Sequence, residues 1–320
     1  MRYVVTGGSG YIGSRLVDLL ARREDTERIV ICDLVPPRGG YVPGTEFERV
    51  DVRDRGGVRA TLERARPDAL VHLAFVLNPS HDERLMYDVD VNGTHNVLEA
   101  AAAVGTEHVL AISSAVAYGA FPDNPVPLTE DDPVRGVAGF SYARDKTESD
   151  RVCQLWAARH PERAMTIVRP CIVFGPNVNN YLVRLWTKGP FAVDAGNLDS
   201  KLQFVHEDDL VEAVSALLLG RHAGAFNVAG DGLMTLRESA DLVGMRIRRM
   251  PLRGYRALVR AMWAARLSEA PPGQIDFALH PWIVSAEKLK RTTGWAPRHT
   301  TRETFELTMR AHGRLATLAT

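Results

Sequence analysis

Up to Pro170, short runs of β-branched and aliphatic residues alternate with longer stretches whose apolar side chains recur every three or four positions. The runs are RYVVT (2–6), RIVIC (28–32), FERV (47–50), ALVHL (69–73), HVLAIS (108–113) and AMTIVRP (164–170). The stretches between them predict helices over about 11–23, 55–65, 83–104 and 141–159. Strands separated by helices cannot pair through a tight turn. Each needs a crossover, which gives parallel strands and right-handed connections. The pattern therefore predicts an α/β fold on a doubly wound parallel sheet.

Beyond Gly175-Pro176 the rhythm loosens. LQFVHEDDLVEAVSALLL and AFNVAG read as elements that return to the sheet, and the rest as a smaller lobe. This divides the chain into a sheet domain, 1–174 with 201–230 returning to it, and a discontinuous substrate lobe, 175–200 and 231–320. The proline- and acid-rich segment 120–134 reads as a surface excursion. Residues 246–269 hold seven arginines against one acid, Glu269. Tyr255, Leu258, Val259 and Met262 fall at helical spacing, which predicts an amphipathic helix covering the lobe, its arginines either a solvated basic face or partners for a phosphate or carboxylate.

Composition removes several function classes. Among 320 residues, 39 basic side chains balance 39 acidic ones, so the excess positive charge of a nucleic-acid binder is missing. No apolar run reaches the roughly 20 residues that span a bilayer, and the N-terminus runs directly into the first strand, so a cytoplasmic protein is expected. Cys32, Cys153 and Cys171 stand apart in apolar contexts, which suits buried thiols. The ten histidines make no HxH or HxxxH cluster, so no metal site is expected.

Two motifs carry chemistry. In VVTGGSGYIGSRLVDLL, Gly7, Gly10 and Gly13 follow a strand and open a helix, with Tyr11 and Ile12 between them, and an acid, Asp33, closes the next strand. Residues without side chains let backbone approach a pyrophosphate, whose charge the helix N-terminus meets. Asp33 can accept hydrogen bonds from both hydroxyls of an adenine ribose and repels a 2′-phosphate, which favours NAD over NADP. This is the fingerprint of a Rossmann-type domain. The second motif is SYARDK, in which Tyr142 and Lys146 leave one face of a helix at i, i+4. A phenol needs a nearby cation to act as a base at neutral pH.

With TGGSGYIG (6–13), HLAF (72–75), VNGTHNVLEAA (91–101), ISSAVAYG (112–119), YARDK (142–146), RPCIVFGP (169–176), FVHEDDL (204–210) and GWAP (294–297), the chain resembles the extended short-chain dehydrogenases/reductases of the NAD-dependent epimerase/dehydratase family, UDP-glucose 4-epimerase among them. The resemblance implies a substrate-polarising Ser114, Tyr142 as general acid/base, and Lys146 lowering its pKa and holding the nicotinamide ribose. It also implies Asp51 and Val52 beside the adenine, Leu73 and Ala74 along the dinucleotide, and Asn92 behind the cofactor. His206-Glu207-Asp208-Asp209 is then helix-start and lobe-packing structure. A homodimer through helices near 83–104 and 141–159 is implied, acting on a small-molecule substrate.

Nucleotide-sugar members of the family hold the diphosphate through an asparagine and two arginines. The matching positions here carry Ile172, Gln203 (with Leu202 before it and Lys201 as the nearest cation) and the stretch FALHPWIVSAEKL (277–289). Ala115 and Val116 stand where the family's dehydratases carry Asp-Glu. The expected activity is hydride transfer at a secondary alcohol or ketone. The alternatives are a nucleotide-sugar 4-epimerase with atypical anchors and a catalytically silent NAD-binding protein.

Overall fold

The computed structural model describes residues 1–40, 42–137, 139–189 and 191–315. In chain order it begins β1 (Arg2–Thr6), α1 (Tyr11–Ala21), β2 (Arg28–Asp33), β3 (Thr45–Arg49), α2 (Arg55–Ala65) and β4 (Ala69–His72). There follow α3 (Glu83–Tyr87), α4 (Gly93–Val104), β5 (His108–Ile112), α5 (Ser141–Arg159), β6 (Ala164–Pro170) and β7 (Ile172–Phe174). These are the elements the hydrophobic pattern predicts, with two differences. The helix expected over 83–104 is interrupted by a π-helical turn, Asp88–Asn92, and β7 continues the chain just past β6 where no separate strand was read.

The remainder comprises α6 (Tyr181–Lys188), β8 (Phe191–Asp194), β9 (Lys201–Leu202), β10 (Phe204–His206), α7 (Glu207–Leu219), β11 (Gly224–Val228), β12 (Met234–Thr235), α8 (Leu236–Leu242), β13 (Arg246–Arg249), α9 (Leu252–Ala264), α10 (Ile275–Leu279), α11 (Glu287–Thr293) and α12 (Thr301–Ala311).

Seven strands form one parallel sheet in the order β11-β6-β5-β4-β1-β2-β3. Period-two alternation sorts its side chains onto two helix-covered faces. Tyr3, Val5, Ile29, Ile31, Val71 and Leu110 pack with Leu16 and Leu20 of α1 and Val214 of α7. Val4, Val30, Leu70 and Val109 pack on the other face with Leu62 of α2, Val97 of α4 and Trp156 of α5. Strand order reverses between β1 and β4, which opens a crevice at their carboxyl ends.

β11 pairs with β6 at the sheet edge, while β10 pairs with β7 beyond it. A separate small core of Phe174, Val183, Phe204, Met234, Phe305 and Met309 lies under the C-terminal elements. The last five residues of the lobe, 316–320, lie outside the described residues. Helix α9 buries none of its residues fully: Leu258 and Met262 are more than a third exposed, and Trp263 stacks on His81 at 4.0 Å.

Candidate active site

The crevice at the switch point is floored by the turn between β1 and α1. Gly7 adopts φ +69°, and a Cβ there would lie 2.6 Å from the Ala74 backbone nitrogen and 2.7 Å from the Leu73 carbonyl carbon. A Cβ on Gly13 would fall 2.2 Å from the Gly7 carbonyl oxygen. Side chains at either position would force apart the turn, the helix start and the end of β4. Asp33 closes β2, where its carboxylate accepts the backbone N–H of Ser9 at 3.1 Å and of Leu34 at 2.7 Å. The acid is thereby fixed to the glycine turn. A bare cradle at a helix N-terminus with an acid beside it fits a dinucleotide.

Gly7, Gly10, Tyr11, Ile12, Gly13 and Leu73 line a cavity of about 340 Å³, and the same cavity is lined by Ser114, Tyr142 and Lys146. The two motifs, some 130 residues apart in sequence, share one space. Ser114 lies just past β5 in extended backbone, its Oγ accepting the Val116 N–H at 3.3 Å. It stands beside the Tyr142 phenol and favours its ionised form, whereas burial, the larger effect, pushes the phenol up. The Lys146 ammonium donates to the Ile112 carbonyl at 2.8 Å and lies 3.4 Å over the Phe75 ring. Burial lowers its pKa, opposed chiefly by Asp90.

Of the other residues expected at the cofactor, Asp51 follows β3 and is paired with Arg53 at 2.6 Å. The Val52 side chain packs on Gly93, and its carbonyl accepts from Asn96 at 3.0 Å. Asn92 is not brought to the cavity: it is exposed, bonded to Asp88 at 2.9 Å, and lines an open outer groove with Arg84 and Tyr87. The π turn is the reason, since one extra residue per turn changes which side chain faces inward. Asp90 faces inward instead, fully buried, with Oδ1 accepting the Val76 N–H at 2.7 Å and Oδ2 without a partner among the described residues.

A buried ionic network holds α5 from behind. Asp150, one turn beyond Lys146, accepts from Arg169 at 2.9 Å on each oxygen and from Ser113 Oγ at 2.6 Å. Arg169 also donates to the Tyr118 hydroxyl at 2.8 Å, which donates to Asn227 at 2.9 Å. Sequence reasoning passed over Asp150, although its i+4 spacing from Lys146 and i+8 from Tyr142 marks the buried face of α5. It also missed Gln274, Phe277 and Trp282, which enter the cavity from the lobe and have no local motif.

The His206–Asp209 stretch has packing roles. Glu207 accepts from Tyr11 and Arg15 of α1 and from Asn177 of the lobe. Asp209 accepts the backbone N–H groups of Arg298 and His299 at 3.1 Å each. Gln203 is engaged on both sides of its amide by the Val284 backbone at 3.1 Å. Ile172 lines the cavity with its aliphatic side chain, and Lys201 is exposed.

An uncharacterized protein of Mycobacterium tuberculosis is 25% identical over 316 residues, spanning 97% of this chain and 84% of that one. UDP-glucuronic acid decarboxylase 2 of Arabidopsis thaliana is 31% identical over 268 residues, 76% of this chain and 56% of that protein. The fold is that of the Thermus thermophilus UDP-glucose 4-epimerase solved with NAD, at a TM-score of 0.77, 24% identity and coverage of 98% and 99%. It is equally that of the Bordetella bronchiseptica enzyme WbmG solved with NAD and UDP, at 0.75, 20%, 98% and 94%. The profile of one family matches residues 3–229, which include the glycine turn, Ser114, Tyr142 and Lys146. The chain belongs to the NAD dependent epimerase/dehydratase family.

Proposed function

We propose that the protein is an NAD-dependent oxidoreductase or epimerase acting at a secondary alcohol or ketone. The observation that carries this is the single cavity shared by the glycine cradle and by Ser114, Tyr142 and Lys146. Gly7, Gly10 and Gly13 would hold the pyrophosphate and Asp33 the adenine ribose, with Asp51, Val52, Leu73 and Ala74 along the same strand ends. Bound there, NAD supplies a hydride acceptor at its nicotinamide ring. Tyr142 exchanges a proton with the substrate oxygen, and Ser114 donates a hydrogen bond to that oxygen. Lys146 supplies positive charge that opposes the effect of burial on the phenol.

Tyr142→Phe should lower turnover by roughly 10²–10⁴-fold while leaving NAD-induced thermal stabilisation in place. Full turnover in that variant would refute the assignment. A UDP-hexose 4-epimerase is the second reading, supported by the fold shared with the Thermus enzyme. Dehydration is disfavoured, because Ala115 and Val116 are buried and carry no acid.

The lobe boundary is read as 175–200 and 231–320. Three free, buried cysteines support a reducing, cytosolic setting. A homodimer through α3, α4 and α5 is supported by exposed Leu85 and Tyr87 on α3 and Leu155 on α5. Light scattering should give twice the chain mass; a one-chain mass would contradict the dimer.

A further inference from the structure

Five hydroxyls line the cavity, on Tyr11, Ser113, Ser114, Tyr142 and Tyr181. Two of them are spent on carboxylates: Tyr11 donates to Glu207, and Ser113 donates to Asp150 at 2.6 Å. Ser114 and Tyr142 belong to the hydride-transfer reading. Tyr181 is left, and that reading gives it no task.

Tyr181 opens α6, and its place is fixed. Its backbone N–H donates to Asn78 Oδ1 at 3.2 Å, while Asn180, the residue before it, caps the helix by accepting the Val183 N–H at 3.0 Å. The side chain is 3% exposed. Its hydroxyl makes no hydrogen bond to a described residue, yet it is not sealed, and it opens on the cavity that the ring lines. Burial, and then the charge of Tyr142, push this phenol up, so it stays protonated and keeps a hydrogen to donate.

The glycine cradle and Asp33, which take the dinucleotide, belong to β1, α1 and β2. Tyr181 comes instead from the lobe, within electrostatic reach of the phenol that exchanges the proton. Its hydroxyl therefore falls in the substrate's share of the cavity. A buried phenol ordinarily keeps its hydroxyl paired. Water can answer it while the cavity is open, but a substrate that displaces the water must bring an oxygen to the same point or leave a polar group unpaired.

We propose that Tyr181 is a specificity-determining residue, its phenol donating a hydrogen bond to a second hydroxyl of a sugar-type ring while Tyr142 exchanges the proton of the first. This rests on the hydride-transfer reading and deepens it. Two phenols on two oxygens fix how the ring is turned toward the nicotinamide. A ring lacking the second hydroxyl leaves Tyr181 unpaired and binds less well. The ring can be free or carried on a nucleotide, since the contact is to the ring alone.

The test uses the full-length protein saturated with NAD, with UDP-glucose and free glucose as probes, each beside its 2-, 3- and 6-deoxy analogues. Turnover is read by nicotinamide absorbance and by product analysis for epimerised sugar. Tyr181→Phe keeps the ring and removes only the hydroxyl. On whichever parent sugar is converted, it should raise KM by roughly tenfold with kcat nearly unchanged and NAD-induced thermal stabilisation intact. One deoxy analogue should show the same loss with the unaltered protein and no further loss with Tyr181→Phe. Which parent sugar is converted distinguishes a nucleotide-borne ring from a free one.

An unchanged KM in Tyr181→Phe would overturn the proposal, as would losses that multiply for every deoxy analogue. A fall in kcat alone would overturn it too, by placing Tyr181 in the proton transfer rather than in recognition. Conversion of neither parent sugar, beside a clear shift with NAD, would overturn the sugar-type ring and leave hydride transfer standing. Failure to bind NAD, or full turnover in Tyr142→Phe, would instead remove the reading underneath.

Discussion

Lys146 sits where two opposing effects meet: burial disfavours its cation, and the buried carboxylate of Asp90 favours it. Asp90 is itself pushed up by burial and drawn back by the Val76 N–H and by Lys146. Asp90→Asn keeps the shape and removes the charge. The Lys146 cation then loses its support and gives up its proton at lower pH. If that cation assists Tyr142, the alkaline limb of the kcat/KM profile moves to lower pH in Asp90→Asn; an unmoved limb would show that the two groups are uncoupled in catalysis. The family resemblance implied Asn92, two residues on. That difference is a matter of register within a π turn, which no local residue type announces.

At the scale of elements, the position of α5 depends on the Arg169–Asp150 pair, whose side chains are 3% and 0% exposed. Removing one partner leaves an uncompensated buried charge. Asp150→Ala should therefore destabilise the protein by about 3–5 kcal/mol, read from chemical denaturation, and a loss under about 1 kcal/mol would show that water reaches the pair. The elements of the sheet were legible because β-branched runs and glycine turns are local signals. The face of α5 that lines the cavity was legible from its i, i+4 pair, Tyr142 and Lys146. The small lobe was less so: β8, β9, β12 and β13 pair in two-stranded ribbons of two to four residues, too short for a periodic pattern to register.

For the whole molecule, two buried histidines tie strands of the sheet to one another, and one of them ties the sheet to α4. His72 bonds Thr6 at 2.7 Å and Thr94 at 2.9 Å, and His108 bonds Thr166 at 2.7 Å. Burial is the largest cause that lowers both, to about 3 and about 4, from an ordinary 6.5. Their folded values are depressed, so the neutral rings contribute stability that is complete above pH 6.5 and is lost as pH falls toward 4. Proton NMR at pH 5.5 should find both rings still neutral, and an imidazolium signal from either would contradict the burial argument. NAD at about 100 times its Kd should add about 2.7 kcal/mol, raising the melting midpoint by a few degrees; no shift would remove the cofactor assignment.

The sequence alone located the strands and helices of the sheet, the glycine turn with Asp33, and the Tyr142–Lys146 pair, to which the family resemblance added Ser114. Each depends on residues close together in the chain or on a strand-end position that the hydrophobic pattern locates. Tertiary structure decided what surrounds the cavity and what supports it. It turned Asp90 inward, engaged Gln203 with Val284, spent Asp150 on Arg169, and brought Gln274, Phe277 and Trp282 from the lobe to a cavity whose floor begins at Gly7. Those placements join residues separated by tens to hundreds of positions. Packing, pairing and burial fix them, and none of these has a period or a spacing along the chain.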